Sequence, residues 1–275
     1  PGQGRYREFW QCDFDTIGTT SNASDIEVAL VINDLFTALG FERFTIRVNN
    51  RLLLNGVLGL CNVADRTTQV LRVLDKLGKI GAEGVDAELL QMGIDTKAVE
   101  MLKLLQVAPG ATDPLETVAE MLEAFQMAYQ ERGSQVPLEA KLQLDAGTRN
   151  LRELLAACKT AGVSDGRVVI DLSIARGLDY YTGTIYETFL TDLPGIGSVC
   201  SGGRYDNLTG TFGMPGLSGV GISFGVDRIY DVLEELKLFP ENQAVSTQIM
   251  VTNFDAEAEA YGLGILRRLR EAEKI

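Results

Sequence analysis

Histidine is absent from all 275 residues. Without an imidazole, any proton transfer must fall to a carboxylate, a tyrosine or the substrate itself. Cysteine is sparse: Cys12, Cys61, Cys158 and Cys200 lie far apart and form no CxxC pair. That spacing argues against a zinc site and fits a reduced, cytosolic compartment. No uninterrupted apolar run reaches the roughly 18 residues of a membrane span, so none is expected. Neither a GxGxxG opening a helix after a strand nor a GxxxxGK[ST] occurs, which sets aside both common phosphate-binding loops. The opening "PGQGRYREFWQCDF" is neither a signal peptide nor a transit sequence. It lacks an initiator Met and enters a patterned segment at once, so the chain is expected to be part of a longer protein. Internal repeats and low-complexity stretches are also lacking. Basic residues are outnumbered, 25 Lys and Arg against 38 Asp and Glu, for a net charge of -13. A surface that is wholly a nucleic-acid footprint is thereby excluded, although a local basic patch is not.

What remains is globular in balance, 45% hydrophobic and 23% charged, with length for one large domain or two smaller ones. "RYREFWQCDFDTIG" alternates as a strand does and stops at a glycine. In "SNASDIEVALVINDLFTALG", Ser24 or Asp25 is placed to cap a helix carrying Ile26, Leu30, Val31 and Leu35, with Gly40 to end it. "FERFTIRVNN" is a further strand. Residues from roughly 51 to 160 are helical, with apolar stripes in "TTQVLRVLDKLGKIG", "DPLETVAEMLEAFQMAYQ" and "LEAKLQLDAGTRNLRELLAACKTAG". These stripes are packing faces and carry no chemistry. Strands return in "RVVIDLSI", "TGTIYETFL", "SVCSGGRYD" and "GVGISF", and "GVDRIYDVLEELKLF" closes that block as a helix. "TQIMVTNFD" and "AEAEAYGLGILRRLREAEKI" are expected to be one strand and one helix of an α/β unit. The whole is α+β, because the strands look antiparallel and the helices are segregated from them.

Three segments could carry chemistry. On a strand, alternate residues share a face, so Arg5, Arg7, Phe9, Gln11, Asp13 and Asp15 would point one way and Tyr6, Glu8, Trp10, Cys12 and Phe14 the other. Such a face could hold an anion at one end and an ammonium at the other, or be a solvated face of charge pairs. In "RGLDYYTGTIYE", Arg176 follows a strand and precedes a glycine. Arginine suits a phosphate that gains charge during reaction, and Tyr180 and Tyr181 offer hydroxyls and ring faces to a planar ligand. Taken alone the segment is also a turn followed by two packing rings. In "CSGGRYDNL" and "GVGISFGVDRI", Gly202 and Gly203 would let a ligand approach the backbone. Arg228 could stack on a planar base, or pair with Asp206 or Asp227.

Taken together and in order around a helical insertion, "GRYREFWQCDFDTIG", "RGLDYYTGTIYE", "SGGRYDNL" and "GVGISFGVDRI" closely resemble histidyl-tRNA synthetase, a class II aminoacyl-tRNA synthetase family. The first resembles the second half of class motif 2 and the last resembles motif 3. The middle two resemble the family's histidine-site motifs. The match is specific in these segments and weak in the insertion. It implies a six- or seven-stranded antiparallel catalytic sheet with a helical insertion and the start of an α/β anticodon-binding domain. The implied boundaries are residues 1–55 for the second half of motif 2 with the following helix and strand, and 56–162 for the insertion. Residues 163–243 would carry the histidine-site motifs and motif 3, and 244–275 the start of the anticodon-binding domain.

The resemblance further implies a cytoplasmic homodimer, with no membrane attachment and no resident metal. It would join L-histidine and ATP, with Mg2+, to histidyl-adenylate and pyrophosphate, then pass histidine to its tRNA. Carried across, Phe9 and Arg228 would sandwich adenine and Arg5 would contact the triphosphate. Gln11 would hold the α-ammonium, and Asp15 and Tyr181 the imidazole. Tyr180, Gly202 and Gly203 would shape that pocket, and Arg176 would neutralise the α-phosphate. Asp15 stands where many bacterial members have Glu. Motif 1, the first half of motif 2 and most of the anticodon-binding domain are missing, so the expected activity belongs to the full-length protein. The alternative is a regulatory subunit of the same ancestry that senses histidine and catalyses nothing, or a pseudo-synthetase module of an uncharged-tRNA sensor. Both usually erode the arginine motif, the tyrosine pair or the motif 3 arginine, whereas Arg176, Tyr180, Tyr181 and Arg228 all stand here.

Overall fold

The computed structural model describes residues 6–106, 113–131, 133–175, 180–239 and 249–272. It divides into two compact units, residues 1–232 and 233–275. The first unit opens on β1 (Gln11–Ile17), α1 (Asn22–Ala38) and β2 (Phe44–Asn50). A run of helices follows: α2 (Arg51–Leu60), α3 (Thr67–Leu74), α4 (Leu77–Gln91), α5 (Thr96–Lys103), α6 (Pro114–Glu131) and α7 (Leu138–Thr160). The chain then returns through β3 (Val168–Ile170), β4 (Thr184–Leu190), β5 (Ser198–Tyr205), the short α8 (Leu208–Thr211), β6 (Gly219–Gly225) and α9 (Val226–Glu235).

The described strands form one sheet in the order β1-β6-β5-β4-β2-β3. Every pairing is antiparallel except β2 with β3. The fully antiparallel sheet expected from the sequence is corrected at that edge. The helices α2 to α7 intervene between β2 and β3, and a crossover of that length lets the chain re-enter in the same direction.

One face of the sheet carries the core. Phe36 of α1 packs against Phe41, Phe44 and Phe224, with ring centroids 5.2–5.9 Å apart. Gly40, at φ +84°, ends α1 as expected. Two other expectations for this helix fail. Its cap is Ser21, whose hydroxyl accepts the Ala23 N–H, and Ser24 and Asp25 lie buried in its first turn. Its buried stripe is Val28, Ala29, Ile32 and Phe36 rather than Ile26, Leu30, Val31 and Leu35. The helix is apolar on both sides, so the phenylalanine cluster decides which side turns inward.

The strand predicted from residue 5 begins only at Gln11. Ahead of it the chain is tied to α9: the Trp10 N–H donates to Asp227, the Val226 N–H to the Trp10 carbonyl, and the Tyr6 hydroxyl to Asp231 at 2.6 Å. In the helical layer, Asp113 caps α6 by accepting the Leu115 N–H at 2.9 Å. Gly162, at φ +85°, follows the end of α7.

Helices α2 and α7 meet at backbone distance through Gly56, Gly59 and Gly147. A Cβ on Gly147 would overlap the Leu53 amide and lie 2.9 Å from its Cα. Elsewhere in a helix Gly→Ala stabilises by roughly 0.5–1 kcal/mol. Here the contact is with main chain, so Gly147→Ala is expected to destabilise by about 1–3 kcal/mol, the usual cost of overpacking. A lowered urea midpoint would show it; an unchanged or raised midpoint would mean that the two helices separate at no cost.

The second unit contains α10 (Ala256–Glu271), begun by Asp255, whose carboxylate accepts the Ala258 N–H at 2.7 Å. The strand predicted in "TQIMVTNFD" is not found: residues 249–253 form none among the described residues. No described helix is long and apolar enough to cross a membrane.

Candidate active site

The other face of the sheet is built differently. Sheet register aligns Asp15 of β1 with Gly221 of β6 and Gly203 of β5, and in the next row Ile17 with Gly219 and Tyr205. A Cβ on Gly221 would overlap the Asp15 carboxylate, and one on Gly219 would overlap the Tyr205 ring. A Cβ on Gly203 would come within 3.0 Å of the Tyr181 ring. These glycines clear a floor on which one carboxylate and two phenol rings lie almost flat on the backbone. The Tyr205 hydroxyl donates to Asp15 Oδ1. The Tyr180 hydroxyl donates to the Tyr181 oxygen at 3.0 Å, which leaves the Tyr181 proton for a ligand acceptor.

Burial first, then the nearby charge of Asp15, pushes the Tyr181 pKa well above that of a free phenol. Burial and the bond to Asp15 do the same to Tyr205. Both hydroxyls therefore stay protonated across the physiological range. The floor offers an acceptor, Asp15, and a donor, Tyr181, near enough for the carboxylate's charge to act on the phenol. That pair suits a planar ring with one N–H and one bare nitrogen.

Next along the same strands, Gln11 donates from Nε2 to the Ser223 hydroxyl. It also lines a cleft of about 390 Å³ with Phe9, Trp10, Ser201 and Arg228. Arg228, at the start of α9, donates to the Ser198 carbonyl, which fixes its guanidinium at the cleft wall. Phe9 is 56% exposed, an uncovered ring facing the same space. Trp10, expected on the opposite side from Phe9 and Gln11, lines this cleft with them because the chain there is not a strand. Gln11 thus stands between the cleft and the Asp15 floor. A second cavity, about 660 Å³, lies beside the tyrosine pair and is lined by Arg51, Asn55, Gln143 and Asn207 among others.

The structure thus brings Asp15, Tyr180, Tyr181 and Gly203 into one pocket and Phe9, Gln11 and Arg228 into the adjoining cleft. Gly202 points to the other face, where a Cβ would overlap Ile222 or the neighbouring backbone. Arg5 and Arg176 lie outside the described residues. Two further contributors, Tyr205 and Ser223, carry no motif of their own in the sequence. The only signal for them was their alternation with Gly203 and Gly221 along β5 and β6. Among the described residues no cluster of three metal-ligating side chains occurs.

A mixed sheet with helices on it is the catalytic-domain arrangement of a class II aminoacyl-tRNA synthetase. A family model described as histidyl-tRNA synthetase matches residues 1–229. The histidine–tRNA ligase of Rhodopirellula baltica is 46% identical over 238 residues, covering 86% of this chain and 50% of that protein. The crystal structure of histidyl-tRNA synthetase from Nostoc sp. PCC 7120 superposes with a TM-score of 0.78 at 31% identity, over 97% of this chain and 60% of that one. A Bacillus halodurans protein described as an ATP phosphoribosyltransferase regulatory subunit/histidyl-tRNA synthetase shares the fold at 21% identity and a TM-score of 0.71, covering 98% of this chain and 62% of that one. The chain belongs to the histidyl-tRNA synthetase family. It spans about half the length of the curated relatives it matches.

Proposed function

We propose that the full-length protein carrying this chain is a histidine–tRNA ligase. It activates L-histidine with ATP to histidyl-adenylate, releasing pyrophosphate, and then transfers histidine to its tRNA. The observation that carries this reading is the Asp15–Tyr181 pair on a glycine floor, with Gln11 leading from it to a cleft lined by Phe9 and Arg228.

In this reading Asp15 accepts the imidazole N–H and Tyr181 donates to the other ring nitrogen. Tyr180 and Gly203 shape the pocket, and Gln11 takes the α-ammonium. Adenine lies between Phe9 and Arg228, whose guanidinium is held against the cleft wall by Ser198. Arg5 contacts the triphosphate, and Mg2+ arrives bound to it. The nucleophile is the histidine carboxylate, already ionised, so a chain with no histidine of its own loses nothing at this step. The protein's work is positioning, together with neutralisation of the α-phosphate by Arg176 as the carboxylate attacks and pyrophosphate leaves. Tight reading of the imidazole follows from pairing both nitrogens, because an analogue lacking either leaves a polar group unmet. The reading also carries homodimerisation and a cytoplasmic location.

The test is amino-acid-dependent ATP–pyrophosphate exchange by the full-length protein. Exchange with histidine and no other amino acid is the expected result. Absence of exchange, with histidine still raising the melting temperature by mass action, would make the protein a histidine-sensing regulatory subunit.

A further inference from the structure

We infer that Tyr205 is the positioning residue that aims Asp15 at the imidazole, an assignment that rests on reading the Asp15–Tyr181 pocket as the histidine site. Asp15 lies exposed on β1. A short carboxylate in that place would rotate freely, and fixing it on ligand binding would cost side-chain entropy. Tyr205 removes that freedom beforehand. Its hydroxyl donates to Oδ1 of Asp15, so the second oxygen keeps its full capacity to accept a ligand N–H. The ring that carries this hydroxyl has little room to shift. It lies where any Cβ on Gly219 would be, on β6, between its own strand and that of Asp15.

The geometry also explains two glycines at once. Gly221 makes room for the Asp15 carboxylate and Gly219 for the phenol that holds it. Tyr205 reaches no part of the cleft lined by Phe9 and Arg228. Its effect should therefore be confined to the amino acid. The phenol stays protonated because burial and the bond to Asp15 both raise its pKa, so it acts as a donor at any pH the protein meets.

The test is Tyr205→Phe in the full-length protein, alone and combined with Asp15→Asn, followed by pyrophosphate exchange. The substitution keeps the ring over Gly219 and removes only the hydroxyl. The expected result is a rise in KM for histidine of about ten- to hundredfold, the range for one hydrogen bond to a charged group, with KM for ATP and melting temperature unchanged. If Tyr205 works through Asp15, the double variant is no worse than Asp15→Asn alone. Additive losses, an unchanged KM for histidine, or a parallel rise in both KM values with a lower melting temperature would each overturn the assignment. A wild type that neither exchanges with histidine nor is stabilised by it would overturn the histidine-site reading itself, and this assignment with it.

Discussion

Arg176→Ala in the full-length protein is expected to lower kcat for histidine-dependent pyrophosphate exchange by about 10²–10³-fold, the usual cost of removing one preorganised transition-state donor. KM for histidine should change little. In the proposed reaction the charge that Arg176 would meet develops on the α-phosphate only as the carboxylate attacks, and an interaction made chiefly in the transition state appears in kcat. Arg176→Lys should recover part of the rate, since a point charge replaces a two-pronged donor. Single-turnover formation of histidyl-adenylate checks the same point without interference from product release. A variant within a fewfold of wild type would remove Arg176 from the chemistry. The neutralising cation would then have to be sought elsewhere in the protein.

The second large effect concerns stability. Arg204 is buried beneath the pocket, on the helix face of β5. It donates to both carboxylate oxygens of Asp25, to the carbonyls of Thr19 and Ser21, and to the hydroxyls of Ser24 and Ser218. Asp206 completes the network, accepting from Thr182 and Ser218. Burial alone would lower the guanidinium pKa, but the bond and charge of Asp25 outweigh it and hold the pKa above its usual value. Replacing only Arg204 by Met leaves Asp25 charged and buried, which typically costs about 3–5 kcal/mol. A shift of that size in the urea unfolding curve is expected. Replacing both, Arg204→Met with Asp25→Leu, should recover much of the loss, because the penalty comes from the unpaired charge rather than from the missing pair. Equal losses in the single and double variants would show that the hydrogen bonds to Thr19, Ser21 and Ser218 matter more than the ion pair.

Fold and pocket are unequally legible in the amino-acid order. Glycine and charge spacing marked the Asp15, Tyr181 and Gly203 segments, and five of the six strands came from alternation in the sheet domain or from its fully apolar runs. "RVVIDLSI" was also recognised, although only Val168–Ile170 pairs as strand. The parallel pairing of that strand was not legible, because direction is set by the path of the chain through the helices. Tyr205 escaped notice for a related reason. Its partner, Asp15, is 190 residues away, and only the alignment of three strands brings them into adjacent rows. The stripe of α1 was misplaced because a helix apolar on two sides does not say which side meets the sheet. In the tail, "TQIMVTNFD" has strand-like residues but no described strand beside it, and propensity without a neighbour makes no sheet.

The position of β1 beside β6 has a consequence for how the protein comes into being. Gln11 and Ser223, which bond across these strands, are 212 residues apart. At about 5–20 residues per second of synthesis, β1 leaves the ribosome roughly 10–40 seconds before the strand it must pair with. Through that interval Phe14 and the carboxylate of Asp15 have neither β6 nor Tyr205 to rest against. A nascent chain stopped anywhere before residue 219 has no Asp15 pocket at all, however much of its helical layer has formed. Ligand can therefore rescue only chains extended past β6, and variants that weaken β1 are exposed to chaperones and proteases before any ligand can stabilise them.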